Sequence, residues 1–526
     1  MTRGYLAIVL HAHLPFVRRP EHEEFLEEDW FFEALTETYI PLIQFMEGWV
    51  RDGVPHAITL SISPPLLAML DDPLLQGRYR RYLDRAIELS CKELDRTRDQ
   101  TEFFRVASMY HSRLEHAREL FADTRSYRLI DAFRQLKDAG GVELITCAGA
   151  HGFLPFMTST PSSIRAQVQS ATRLFEDLFG SPPPGMWLPE CAYVPGIENF
   201  LKEAGIRYFI LESHGVLNAV PRPAHGAFAP IYCPNGVAAF PRDAESSRQV
   251  WSSKEGYPGD YFYREFYRDI GFDLDYDYIK PYLSATGDRK MTGFKYHRIT
   301  GPGDHKEAYQ PEIARQRAAD HAGNFMFNRE RQVEYLAEQM GRPPIITAPY
   351  DAELFGHWWF EGPQWLDFLV RKTAYDQQSY QLISPAKYLD AFPKQQSAQA
   401  AASSWGADGN FAYWINETND WIYPHLHKAA ERMTQLARSY PQAEGLQGRA
   451  LNQAARELIL AQSSDWPFIM TAKTSVQFAE AQIKIHLNRF TRLYHQIIDN
   501  ALEDAWIKEL ESVDTLFPHI DYRLYQ

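Results

Sequence analysis

The sequence predicts an α/β protein built on a parallel-stranded barrel, and three observations carry that prediction. Apolar runs of roughly four to eight residues recur along the chain, the length of strands buried in a parallel sheet. Each run ends in a polar or ionisable residue and is followed by a helical segment. No GxGxxG loop follows the first run, which weakens the main rival, a doubly wound sheet.

The runs come in order. "YLAIVLHAH" ends at His11 and His13, and "HAITLSIS" is the second. "VELITCAGAHGF" ends at His151, and "GMWLPE" ends at Glu190. "YFILESHG" ends at Glu212 and His214, "GVAAFPRD" at Arg242 and Asp243, and "PIITAPYDAE" at Asp351 and Glu353. In barrels of this kind active residues sit at the carboxyl ends of the strands, and the polar terminal residues obey that rule.

Two regions interrupt the alternation. Residues 72–127 read as two amphipathic helices, a hairpin inserted in the barrel. Residues 262–310 are aromatic, charged and rich in turn signals, and so long an irregular stretch is expected to be a lid or binding loop. A helix is predicted from Pro311 to Met340, with proline suited to its first position. "FPKQQSAQAAASS", residues 392–404, reads as a linker. Beyond it helical spacing dominates, including one long run from Thr474 to Glu511. The expected division is a catalytic domain over 1–395, with the hairpin 72–127 within it, and a helical domain over 396–526 that contributes to the cleft.

Composition narrows the function. The 526 residues carry 54 basic and 68 acidic side chains, a net charge of −14. That balance argues against nucleic acid, whose phosphates need a basic footprint, and suits a neutral substrate. Twelve Trp and 29 Tyr are more rings than a core needs, and flat apolar rings suit sugar faces. The four cysteines are scattered without a CxxC pair, as expected of reduced thiols in the cytoplasm. The first apolar run is short and interrupted by histidines, so a strand rather than a signal peptide is expected. No run approaches the roughly 20 apolar residues of a membrane span. The chain is expected to be a monomer or homodimer.

Glu190 and Asp351 form the best carboxylate pair. Each closes an apolar run and is followed by aromatics. Breaking a glycosidic bond takes two carboxyl groups, one at the anomeric carbon and one to protonate the leaving oxygen. Burial among rings would raise one pKa and keep that acid protonated near neutral pH. The bland alternative is that both are structural, as helix caps or arginine partners. His11 and His13 lie on one face of a strand and, with His151 and His214, suggest a metal site. Equally, they would hydrogen-bond a neutral substrate or orient Glu190, and no compact Cys/His spacing supports metal. "SWGADGNFAYWINETNDWIYPHL" interleaves rings with Asn, Asp and Glu, suited to sugar stacking or to a packed interface. "SSDWPF" sets Asp465 beside Trp466, to close the same cleft or to cap a helix.

Together "HAHLPF", "ELITCAGAHGFLP", "GMWLPECAY", "YREFYRDIG", "PYDAELFGHWWFEG", "WINETNDW" and "SSDWPFI" resemble glycoside hydrolase family 57, above all its 1,4-α-glucan branching enzymes. The resemblance covers most of the chain in order. It implies an incomplete (β/α)7 TIM-like barrel followed by a helical domain, a retaining mechanism, an α-glucan substrate, and no metal or other cofactor. It places the nucleophile on Glu190 and the acid/base on Asp351. It sets His11, His13, His151, Trp358, Trp405, Trp414, Asp465 and Trp466 near substrate, and carries over Trp30 and Arg264. It also implies a flexible loop bearing a tyrosine beside the cleft, for which Tyr232 is the candidate. Retention would set the two carboxyls ~5–5.5 Å apart. The remaining alternatives are a 4-α-glucanotransferase or amylase of the same family, a metal-dependent hydrolase using His11 and His13, and a non-catalytic glucan-binding protein.

Overall fold

The computed structural model describes residues 2–124, 128–252, 254–284 and 286–526. All seven apolar runs form parallel strands of one curled sheet. They are β1 (Gly4–Ala12), β2 (Ile58–Ile62), β3 (Val142–Cys147), β4 (Gly185–Trp187), β5 (Tyr208–Leu211), β7 (Ala238–Pro241) and β8 (Ile345–Asp351). A short β6 (Ile231–Tyr232) runs antiparallel to β7, β9 (Tyr380–Leu382) pairs with the start of β1, and β10 (Gln396–Ser397) pairs with β6. The order runs β8-β1-β2-β3-β4-β5-β7. Among the described residues no ladder joins β7 to β8. Instead the Asp243 amide, just past β7, donates to the Thr347 carbonyl at 2.8 Å. The sheet is therefore an incomplete, TIM-like barrel.

The period of two explains both faces of the wall. Leu6, Ile8 and Leu10 of β1 point outward into the helical layer. Ala7 and Val9 point inward, with Ile145, Cys147, Trp187, Ile210, Phe240 and Ile345, and fill the barrel. Burial on both faces is why these strands read as unbroken apolar runs. Trp187 is fully buried. At roughly 200 Å² and ~25 cal/mol/Å² its burial is worth about 5 kcal/mol.

The same parity carries function to the mouth. His11 follows Ala7 and Val9 on the inward face, in register with Ser61 on one side and Asp351 on the other. Three polar side chains thus stand in a row at the top of adjacent strands.

The insertion forms the expected hairpin, helices Pro73–Arg96 and Thr101–Arg118. Asp72 caps the first, accepting from the Leu75 amide at 3.0 Å. The end of the expected hairpin, residues 125–127, lies outside the described residues. Helix Pro311–Met340 has proline in its first turn and Gly341 in the left-handed conformation at its end.

Two expectations need correction. Residues 392–404 are not a free linker. β10 pairs with β6, Ser403 and Tyr193 exchange backbone hydrogen bonds, and Ala398 and Ala400 are buried. The run from Thr474 to Glu511 is two helices, Val476–Ile498 and Asp504–Val513, broken where Asn500 adopts φ 52°.

The C-terminal helices gather round Gly445–Ala461, whose second half is buried on every side. At its end the chain turns into the barrel mouth. Ser463 bridges to Gly152, and the Ser464 amide donates to the His151 carbonyl at 2.9 Å. Helix Asp465–Ala472 starts there.

Candidate active site

Glu190 follows β4 in a tight turn closed by hydrogen bonds from the Cys191 amide to Leu188 and from the Ala192 amide to Pro189. Glu190 itself sits at φ 60° and Cys191 at φ 47°. His151, after β3, sits at φ 62°. Left-handed backbone at bulky residues is costly and persists only where surrounding contacts hold it. Those contacts are dense. The space a Cβ would need at Gly149, two residues before His151, is filled by the Gln167 amide group, 1.7 Å away.

Both oxygens of the buried Glu190 carboxylate are held. Trp405 Nε1–H donates to Oε2 at 2.9 Å, and Ser464 O–H donates to Oε1 at 3.0 Å. Ser464 has one proton, so toward an ionised Glu190 its lone pair accepts from His151 Nδ1–H at 2.8 Å. His151 Nε2 then accepts from His11 Nε2–H at 3.0 Å, and His11 Nδ1 accepts from Ser61 O–H at 3.1 Å. One directed chain therefore runs from β2 through β1 and β3 to the carboxylate. It requires both imidazoles neutral. Burial, aided by mutual repulsion among the histidines, holds His11 and His151 well below the usual histidine range. Trp187 lies flat under His11, centroids 4.5 Å apart and planes 2° off parallel.

His13 behaves differently. Its Nδ1 meets Ser63 Oγ at 2.8 Å and its Nε2 meets Asp465 Oδ1 at 3.0 Å. Burial works to lower its pKa, but the Asp465 carboxylate raises it above the ordinary value. Burial likewise works to raise Asp465, and His13 brings it below the ordinary value. The two form an ion pair between barrel and helical region. The His13 amide donates to Glu353 Oε1 at 3.1 Å, and Tyr39 O–H donates to the same oxygen.

Asp351 ends β8. Among the described residues nothing hydrogen-bonds its carboxylate. Desolvation raises its pKa well above the ordinary value, with repulsion from Glu353 and Glu190 adding to this and Arg242 opposing it. Desolvation also raises Glu190 above its ordinary value, with the Asp465 carboxylate adding to this and the Trp405 and Ser464 hydrogen bonds opposing it. The two carboxyls thus differ in kind. One is held by two donors and suited to work ionised, and the other is bare and suited to work protonated.

The clustered imidazoles come close enough for metal, since ligand atoms of His13, His151 and Asp465, and of His11, Cys147 and His151, lie within 4.8 Å of one another. Their nitrogens are directed at one another, at serines and at Asp465 rather than at a common point. The donor set therefore fits a hydrogen-bond network better than an ion.

The structure gathers Glu190, Asp351, His11, His13, His151, Trp405 and Asp465. The other expected contacts lie outside this hydrogen-bonded cluster. Trp358 stands on the rim, 45% exposed. Trp30 is half-buried, edge-on to Phe478. Arg264 is buried and pairs with Glu37 Oε1 at 2.9 Å. Trp414 is 2% exposed and stacks on Phe153, and Trp466 is 1% exposed and donates to the Leu460 carbonyl. Both rings are covered by protein on their faces, so the expected place of Trp414 and Trp466 near substrate is not one of open stacking surfaces. Tyr232 is not on a flexible loop, because β6 is paired on both edges, to β7 and to β10. Ser464 and Ser61 join the site unforeseen, with strand register the available signal for Ser61, and Glu353, a strand-end acid in the sequence, joins them.

Seven parallel strands bearing this polar cluster at their carboxyl ends are the architecture of a glycoside-processing barrel enzyme. The chain belongs to glycosyl hydrolase family 57, whose family model matches residues 7–400. A second family model, for the C-terminal part of 1,4-alpha-glucan branching enzymes, matches residues 425–525. The α-amylase AmyC from Thermotoga maritima is 41% identical, with a TM-score of 0.94 over 100% of this chain and 99% of that one. A branching enzyme from Pyrococcus horikoshii is 32% identical, with a TM-score of 0.88 over 100% and 97%. The 1,4-alpha-glucan branching enzyme of Thermococcus kodakarensis is 32% identical over 98% of this chain and 77% of that protein.

Proposed function

We propose that this protein is a 1,4-α-glucan branching enzyme acting with retention. The observation that carries the proposal is the helical C-terminal region. It matches the branching-enzyme C-terminal family and delivers Ser464 and Asp465 into the barrel mouth beside Glu190.

In this mechanism Glu190 attacks the anomeric carbon of an internal α-1,4 linkage. The C1–O4 bond breaks as Asp351 gives its proton to O4. The glycosyl group stays bound to Glu190. A 6-hydroxyl of a glucan chain then attacks C1, its proton passes to Asp351, and the bond to Glu190 breaks. Two inversions give net retention and an α-1,6 branch. Trp405 supplies a wall beside the nucleophile that favours a sugar acceptor over water. Trp405→Ala is therefore expected to raise hydrolysis relative to transfer. The substrate is a glycogen- or starch-type polymer, and the setting is cytoplasmic. Among the described residues no helix is long and apolar enough to cross a membrane. The division into a catalytic domain over 1–395, its inserted hairpin and a helical domain over 396–526 belongs to the same reading.

The similarity to the Thermotoga maritima α-amylase favours a second reading, hydrolysis by the same two carboxylates. Proton NMR of amylose incubated with the pure protein separates them. Branching predicts a new α-1,6 anomeric signal with few new reducing ends. New reducing ends without that signal mean hydrolysis, and altered chain lengths with neither mean α-1,4 transfer. Loss of activity with a chelator would instead favour a metal-dependent hydrolase.

A further inference from the structure

Five rings lie in unbroken contact along the rim of the barrel mouth. Trp251 packs edge-to-face on Trp358, centroids 5.9 Å apart and planes at 86°. Trp358 neighbours His357 at 6.2 Å, His357 meets Phe266 edge-on at 5.4 Å, and Phe266 meets Tyr267 at 5.2 Å. Trp251 is 51% and Tyr267 77% exposed. Single exposed apolar residues are ordinary, but a contiguous strip of rings marks an interaction surface.

The strip is anchored from below. Trp251 ends helix Ala244–Trp251, whose Asp243 cap accepts from the Ser246 amide at 2.8 Å and from Gln332 and Arg329. The Trp358 amide donates to the Glu353 carbonyl at 3.2 Å. His357 Nδ1–H donates to Glu37 Oε2 at 2.7 Å, and Lys295 Nζ lies 4.7 Å from the centre of the Phe266 ring. Rings already fixed lose little freedom when a ligand lies on them.

We infer that this strip is a binding track for an α-1,4-glucan chain leading to the catalytic mouth. It is continuous with the site, because Trp358 lies seven residues after Asp351 and is tied to Glu353. The exposed rings of Trp251, Trp358 and Tyr267 offer apolar surface of the kind that the apolar faces of glucose units pack on. A net charge of −14 disfavours a polyanion on the same rings. The inference rests on the reading that the site takes α-glucan.

The test uses the full chain carrying Glu190→Gln, so that substrate is not consumed. Calorimetry compares its dissociation constants for amylose and for maltotriose with those of the same chain also carrying Trp251→Ala and Tyr267→Ala. The track predicts about a tenfold weaker amylose constant, an unchanged maltotriose constant, and recovery with Trp251→Phe and Tyr267→Phe. Equal amylose constants in parent and variant overturn the track. If the parent binds neither amylose nor maltotriose, the functional reading fails with it.

Discussion

Ser464 Oγ lies 3.0 Å from Glu190 Oε1 although 274 residues separate them in sequence. A serine from the helical C-terminal region thus holds the carboxylate of a barrel turn, and the same hydroxyl takes a hydrogen bond from His151 at 2.8 Å.

This relationship predicts a shifted pH profile. In the proposed mechanism Glu190 works ionised, so activity rises with pH through its pKa. Hydrogen bonds to a charged group contribute about 1.5–3 kcal/mol, which is about one to two pKa units. Ser464→Ala removes a donor to the ionised form and raises the Glu190 pKa. The acid limb of kcat/KM should move to higher pH, and Ser464→Thr should largely keep it in place. A uniform drop in activity with no moved limb would make Ser464 merely structural.

Asp351 predicts the opposite limb. In the proposed mechanism it works protonated in the first step, so activity falls as pH rises through its pKa. Repulsion from Glu353 is one cause of that high pKa. Glu353→Gln removes the charge while its carbonyl still accepts from Tyr39 and His13. The alkaline limb should move to lower pH, as measured by initial rates on amylose. An unmoved limb would remove Glu353 from the control of Asp351.

Arg264 ties its own segment to three others. It pairs with Glu37, and its guanidinium donates to Tyr110 Oη at 3.4 Å and to the His357 carbonyl at 3.1 Å while lying over Phe360. Breaking a buried pair from one side costs about 3–5 kcal/mol. Arg264→Ala should lower the urea midpoint accordingly. Burial works to raise Glu37, but Arg264 and His357 bring it from 4.5 to about 2. A depressed folded-state pKa means stabilisation present above the ordinary carboxylate value and lost as pH falls toward about 2. The acid dependence of the midpoint should therefore flatten in Arg264→Ala.

Much of the barrel was legible, because strands covered on both faces carry apolar runs that end where the polar mouth begins. Glu190, Asp351, His11 and His151 stood out for that reason. Ser464 did not, since a serine before "DWPF" reads as a helix start and its partner comes from tertiary docking alone. Trp414 and Trp466 show the converse. Composition marks a ring as aromatic but not as covered, and Phe153 and the Leu460 turn cover these two. The extended segment at 392–404 carries linker composition, yet its backbone finds a strand edge at β6.

The most direct test of the account is covalent trapping on the Asp351→Asn variant with α-maltosyl fluoride. Fluoride leaves without an acid, whereas release of the glycosyl group needs the missing base. The account predicts that one maltosyl unit accumulates on the protein and that peptide mass spectrometry finds it on Glu190. A label on any other residue, or rapid turnover with none, would contradict the assignment of the two carboxylates.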